Sequence, residues 1–310
     1  MVQQTNKQTI AVLIPCYNES KTIEKVVKDF AKALSSANIY VFDNNSTDGT
    51  DTIAQNAGAI VKYEYRQGKG NVIRSMFRTI EADCYIMVDG DDTYPAENAK
   101  EMCNLIINHG IDMVIGDRLS TSYFQENKRA FHNFGNRIVR SLINILFRSN
   151  LKDIMSGYRA FSRSYVKNIP IISKGFEIET EMTIHALDKN FLVKEIPITY
   201  RDRIDGSESK LNTYRDGIKV ILTIFRLFRD YKPFVFFTFC AIILEIVAVI
   251  LTVPVISEYM HTGLVPRFPT LIATIGIATI GILFFFCGVL LDVIQNKNKQ
   301  LFELLINKGI

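Results

Sequence analysis

The chain is 310 residues long, 48% hydrophobic and 22% charged, with a formal net charge of +4 and a positive mean hydropathy. These values exclude a disordered tail, a collagen and a disulfide-stapled miniprotein, and leave room for one large domain or two small ones. Charge fills the chain as far as Tyr231-Lys232-Pro233 and then nearly vanishes until Asp292, so the first three quarters read as a soluble domain with its own core and the last quarter as membrane.

In chain order, Met1 to Thr9 is polar and lacks an apolar stretch, so no signal peptide is expected there. Ile10-Ala11-Val12-Leu13-Ile14 is a continuous apolar run ending in Pro15, which suits a buried parallel strand. Helical periodicity follows over Glu19 to Leu34, then a strand at Ile39-Tyr40-Val41-Phe42 that ends in Asp43. Thr50 to Ala57 reads as a helix, Ala59 to Tyr65 as a third strand and Gly70 to Ile80 as a helix. Cys84 to Val88 is a fourth strand running into Asp89-Gly90-Asp91-Asp92, with a helix over Ala96 to Asn108 and a strand over Asp112 to Gly116 behind it. Alternating strands and helices predict an α/β domain with a mostly parallel sheet, and such sheets bind ligands at the carboxyl ends of their strands. Tyr17, Glu19, Asp43, Asp89 to Asp92, Asp117 and Arg118 all follow strands in this way.

Two amphipathic stretches come next. Phe131, Phe134, Ile138, Leu142 and Leu146 share a helical face flanked by Arg129, Arg137, Arg140 and Arg148. Ile218, Ile221, Leu222, Phe225 and Phe228 share another, opposite Arg215, Lys219, Arg226 and Arg229. Each fits either an interfacial helix in the headgroup layer or ordinary core packing. Phe234 to Ile256 and Leu271 to Leu291 are long enough to cross a bilayer, with Glu245 the only charge in the two. Arg226, Arg229 and Lys232 precede the first span, Lys297 and Lys299 follow the second, and the loop between carries only Arg267. The positive-inside rule then predicts a hairpin with both termini cytoplasmic. Glu245 reads either as a contact to a partner helix or as a functional carboxylate. The organisation expected is a domain over 1–212, a juxtamembrane helix over 213–232, two spans within 233–292 and a tail over 293–310. Five cysteines, odd in number and without C-x-x-C spacing, and four scattered histidines argue for reduced thiols and against a zinc site.

Asp89, Asp91 and Asp92 crowd three carboxylates into one turn, where like charges repel unless a cation joins them. Hard oxygen ligands suit Mg²⁺ or Mn²⁺ shared with phosphate, although a surface turn carries the same residues. Arg66-Gln67-Gly68-Lys69-Gly70-Asn71 opens a helix with glycines and cations, which reads as a phosphate seat or as a plain basic turn.

Taken together, Pro15-Cys16-Tyr17-Asn18-Glu19, Asp43-Asn44-Asn45-Ser46-Thr47-Asp48-Gly49-Thr50, Gly68-Lys69-Gly70 and Asp89-Gly90-Asp91-Asp92 resemble a family 2 glycosyltransferase of GT-A fold. Asp153 to Phe161 and Arg203 to Leu211 resemble its polyprenyl-phosphate branch, which includes dolichol-phosphate mannose synthases and bacterial bactoprenol glucosyltransferases. The resemblance implies inverting transfer of one sugar from a nucleotide-sugar, UDP-glucose or UDP-N-acetylglucosamine favoured, to undecaprenyl phosphate at the bacterial cytoplasmic membrane. It implies that Pro15, Tyr17 and Glu19 frame base and ribose, that Asp43 accepts from the base, and that Lys69, Asp89, Gly90 and Asp91 complete the donor site. Asp91, with Asp89 and Asp92, would ligate the metal; many relatives carry Gln where Thr93 stands. Asp89, Asp91, Arg118 and Arg203 would be catalytic, and Arg118, Arg137, Arg203, Ser209 and Lys210 would hold the lipid phosphate. Glu177, Glu179 and Glu181 stand where hydroxyl-using relatives often carry a base; here they shape the sugar pocket or form a solvated face, Glu177 and Glu181 together if Phe176 to Leu187 is a helix. A homo-oligomer, a flippase and a downstream glycosyltransferase are the partners expected beside donor, acceptor and membrane lipid; nucleic acid is not. Two rival readings remain, a processive polysaccharide synthase, against which the absence of tryptophan counts, and a non-catalytic scaffold that recruits a flippase.

Overall fold

The computed structural model describes residues 8–120, 130–175, 177–201, 225–226 and 228–307. The chain divides into two compact units, Met1–Thr213 and Tyr214–Ile310.

In the first unit the apolar run at the start becomes β1 (Ile10–Cys16), with Val12, Leu13 and Ile14 fully buried because both faces of the strand are covered. The helix α1 (Ile23–Ala33) buries Ile23, Val26, Val27 and Phe30, the i, i+3, i+4, i+7 stripe of an amphipathic helix. It begins at Ile23 rather than Glu19, since the Glu19 carbonyl accepts from the Thr22 and Ile23 amides in the preceding turn. Phe30 meets Tyr158 edge to face at 5.9 Å, and truncating such a ring costs about 3–5 kcal/mol.

The remaining elements are β2 (Asn38–Asp43), α2 (Thr50–Asn56), β3 (Ile60–Tyr63), α3 (Lys69–Thr79), β4 (Cys84–Met87), a 3-10 turn (Ala96–Asn98), α4 (Ala99–His109), β5 (Met113–Asp117), α5 (Ala130–Phe147), β6 (Arg159–Ser162), α6 (Arg163–Asn168), α7 (Ile178–Asp188) and β7 (Val193–Pro197). The third strand is shorter than expected, and the expected helix over Ala96 to Asn108 opens with the 3-10 turn. The seven strands form one sheet in the order β3-β2-β1-β4-β6-β5-β7.

All pairs are parallel except those of β6, which runs antiparallel to both β4 and β5. That reversal has a consequence for the site: the loop entering β6 arrives at the sheet edge where β4 and β5 end. Arg159, fully buried at the start of β6, fixes that loop. Its guanidinium donates to the carbonyls of Ile154 (2.7 Å) and Ser156 (2.8 Å) and to Thr183 Oγ1 (2.9 Å). On α5, Val139 and Ile143 are buried while Ile138 and Ile145 stand exposed, so the residues packed into the core are not those of the apolar face that includes Ile138.

The second unit is a pair of helices, α8 (Pro233–Thr262) and α9 (Phe268–Asn307), each long and apolar enough to cross a membrane. They pack through residues spaced by seven: Ala241, Ala248 and Val255 on α8, and Thr274, Gly281 and Gly288 on α9. Small residues at that spacing let two backbones approach closely. Glu245 lies in this seam, where a Cβ at Gly281 would come within 2.6 Å of its Oε1. α9 continues as helix through Asn307, beyond the expected end of the span. The expected apolar face at 218–222, and Arg203, Ser209 and Lys210, lie outside the described residues.

Candidate active site

Three strand ends build one edge. In register, Cys16 of β1 lies beside Asp43 of β2, and β4 delivers the acidic turn on the other side of β1. The turns are laced together. Asn18, at φ 55°, donates its amide to Ser46 Oγ and accepts from the Thr47 amide, while the Glu19 amide donates to Thr50 Oγ1. Thr22 Oγ1 donates to the Gly90 carbonyl at 2.6 Å, tying α1 to the acidic turn. Tyr17 and Glu19 border the edge, and a Cβ on Gly90 would lie 2.8 Å from Cys16 Sγ, so a side chain there would have to displace the thiol.

Asp43 is buried. Its Oδ2 accepts from the Ser46 amide at 2.9 Å, whereas its Oδ1 is buried without a hydrogen-bond partner. Asp91 is also buried, and its Oδ1 accepts from Thr93 Oγ1 at 2.6 Å. Thr93 thus orients the aspartate. Asp92 parts from its neighbours: at φ 58° it turns to Lys25 (2.7 Å), with Arg201 3.7 Å away. Its carboxylate thus pairs with Lys25, as the Asp89 carboxylate pairs with Lys69. Among the described residues no three histidine, cysteine or acidic side chains close around a metal. Two hard carboxylates fit Mg²⁺ or Mn²⁺ that draws its other ligands from phosphate and water.

Lys69 starts α3, yet its ammonium contacts carboxylates, Asp89 Oδ1 at 2.5 Å and Glu179 Oε1 at 2.7 Å. Burial alone would lower its pKa; Asp89 and Glu179 outweigh burial and hold it above the ordinary lysine range. The glycines around it serve packing. A Cβ on Gly68 or Gly70 would overlap the backbone of Ser173 and Lys174, and the Gly70 amide donates to the Lys174 carbonyl at 3.1 Å. That strap is fastened by Arg74, which donates to the Ile171 and Ile172 carbonyls, and by Glu181, which accepts from the Ile172 and Ser173 amides. The helix starts at Ile178, placing Glu177 outside it as an exposed cap residue and Glu181 on the strap, so Glu179 is the acid that enters the site.

Arg118 follows β5 and makes a bidentate pair with Asp153 (2.7 and 3.0 Å), beside the Tyr94 hydroxyl and 5.7 Å from the Tyr200 ring centre. Burial opposes ionisation of Asp153, but the Arg118 guanidinium prevails and keeps its carboxyl below the ordinary range. Asp153 belongs to the loop fixed by Arg159, and Gly157 of the same loop has no room for a Cβ because Asp89 fills it. Arg137 stands exposed on α5. That Asp153 locks Arg118 and that Glu179 reaches Asp89 through Lys69 were not legible in the sequence, because both contacts join distant segments.

Residues 11–169 match the family described as glycosyl transferase family 2. The chain belongs to that family. Glycosyltransferase AglJ of Haloferax volcanii is 32% identical over 292 residues, covering 94% of this chain and 95% of the relative. Dolichyl-phosphate hexose transferase of the same organism is 28% identical over 211 residues, covering 68% and 90%. Among solved structures, glucosyl-3-phosphoglycerate synthase from Mycobacterium tuberculosis, in complex with Mn²⁺, UDP-glucose and phosphoglyceric acid, superposes with a TM-score of 0.57 at 20% identity over 70% of this chain and 80% of that one. The fold is therefore GT-A, and the acidic edge lies at the carboxyl ends of parallel strands, where open α/β sheets bind ligands.

Proposed function

We propose that this glycosyltransferase moves a single sugar, with inversion at the anomeric carbon, from a nucleoside diphosphate to polyprenyl phosphate. UDP-glucose or UDP-N-acetylglucosamine is the favoured donor and undecaprenyl phosphate the acceptor. The observation that carries the donor half is the buried, unpartnered Oδ1 of Asp43. A buried acceptor without a donor is costly, and the imino N–H of uracil supplies one. The acceptor half is supported by one relative, named as a dolichyl-phosphate hexose transferase, and by two helices able to cross a membrane.

In this reading Pro15, Tyr17 and Glu19 frame base and ribose, and Asp89 and Gly90 approach the ribose and diphosphate. Asp91 and Asp89 would hold Mg²⁺ or Mn²⁺; the solved structure of like fold was obtained in complex with Mn²⁺. When bound, the cation neutralises charge growing on the diphosphate leaving group. An oxygen of the lipid phosphate bonds to C1 as the bond from C1 to the diphosphate breaks. No general base is required, because a phosphate monoester has a second pKa of about 6 and arrives anionic. The protein supplies alignment. Arg118, Arg137, Arg203, Ser209 and Lys210 are the groups assigned to the phosphates. The setting is a bacterial cytoplasmic membrane with both termini cytoplasmic, a homo-oligomer, and a flippase or a further glycosyltransferase downstream.

The test is transfer by purified, detergent-solubilised protein supplied with Mn²⁺, undecaprenyl phosphate and a panel of radiolabelled UDP- and GDP-sugars. Lipid-linked label from one donor is expected, abolished by EDTA and reduced at least about 100-fold by Asp91→Ala. Label that survives Asp91→Ala at the wild-type rate removes the metal assignment. No lipid-linked label from any donor removes the transfer reading.

A further inference from the structure

Lys69 is held from three sides. It begins α3, whose start is pinned by the strap at Ser173 and Lys174; it bonds Asp89 at the end of β4; and it bonds Glu179 in the first turn of α7. Its side chain is only 11% exposed, and that of Glu179 only 6%. Asp89 also lies against Gly157, whose missing side chain leaves the carboxylate its room. A fixed cation is thus in direct contact with one of the two carboxylates available to a divalent cation.

We propose that Lys69 is a positioning residue that acts through Asp89, with Glu179 as its anchor: the ammonium shares Asp89 with the incoming divalent cation and sets how tightly the donor-free protein holds it. The inference rests on the assignment of Asp89 and Asp91 as the metal seat. Charges this close interact strongly where water is excluded. The two halves of the device have opposite signs. Without Lys69, Asp89 gives its whole charge to the metal, and binding tightens. Without the Glu179 charge, Lys69 bears on Asp89 alone, and binding weakens. A purely structural role for the pair would weaken metal binding in both variants.

The experiment titrates full-length, detergent-solubilised protein with Mn²⁺ in the absence of donor, following free Mn²⁺ by electron paramagnetic resonance. Lys69→Met is expected to lower the dissociation constant at least about fivefold, and Glu179→Gln to raise it at least about twofold. Lys69→Arg, which keeps the charge, stays within about twofold of wild type. Asp91→Asn loses the site. If Asp91→Asn binds Mn²⁺ as wild type does, the metal seat itself is misplaced and this proposal falls with it. If Asp91→Asn loses binding while Lys69→Met is unchanged or weaker, the seat stands and the role of Lys69 is overturned. Should Lys69→Met fail to fold, the double variant Lys69→Met/Glu179→Gln removes one charge of each sign. It is expected to bind Mn²⁺ more tightly than Glu179→Gln alone, and equal or weaker binding overturns the proposal.

Discussion

Asp43 uses its two oxygens differently, and a single substitution separates their roles. Asp43→Asn keeps an oxygen for the Ser46 amide but turns an N–H toward the place where a donor is awaited. Donor KM should rise about 10- to 100-fold with kcat nearly unchanged, because the base contact is the same in ground and transition states. Steady-state kinetics check this, and an unchanged KM would remove Asp43 from the base site. His185 offers a second test at this scale. Burial, assisted by the Lys189 charge and opposed by Asp188, lowers its pKa from 6.5 to about 4. The unfolded chain therefore takes up the proton first as pH falls. Stability from this group is complete above about pH 6.5 and is lost progressively toward pH 4. Its loss at pH 5 amounts to about 2 kcal/mol. His185→Phe, beside Tyr165 and Phe191, should flatten the acid side of the curve of melting temperature against pH; an unaltered curve would refute the assignment.

At the scale of elements, the α8–α9 seam makes a directional prediction. Gly281→Leu drives a side chain into Glu245, whereas a Cβ on Gly276 meets nothing within 4 Å. Overpacking at the first site should cost about 1–3 kcal/mol of helix-pair stability, read as loss of helicity in a detergent titration, and Gly276→Leu should leave it unchanged. Equal behaviour of the two variants would show that the seam is not where the helices hold each other. Elements also decide how much the sequence revealed. β1, β2 and β4 were legible because each is a dense apolar run that ends directly in its functional residues, so Asp43 and Asp89 to Asp92 were placed by local order alone. β6 was not legible as a strand: it is four residues long, carries a buried arginine and reads as a polar motif. α7 hides for a related reason. It is buried nearly all round, including Glu179, Thr180, Thr183 and Asp188, so no amphipathic stripe marks which glutamate faces the site.

On the scale of the whole molecule, two units are joined in one chain, a GT-A sheet and an apolar helix pair, and the family match at residues 11–169 stops before the first is finished. Glu179 and β7 lie beyond it, and β7 completes the sheet against β5. The candidate site is therefore a product of the whole first unit, with the acidic edge written early in the chain and the contacts that fix it written late. The antiparallel insertion of β6 then imposes an order of events during synthesis. β4 pairs with β1 as soon as it emerges, but its other edge stays open until Arg159–Ser162 arrives. Roughly 70 residues separate the two strands, about 4 to 14 s of translation at 5–20 residues per second. For that interval a fully buried strand is an exposed template for pairing with other chains. Ribosome-arrested chains should bind chaperones, and stay protease-sensitive at β4, until β6 clears the exit tunnel; protection of shorter chains would contradict this order. The apolar helices emerge last, after the sheet has closed its own edge.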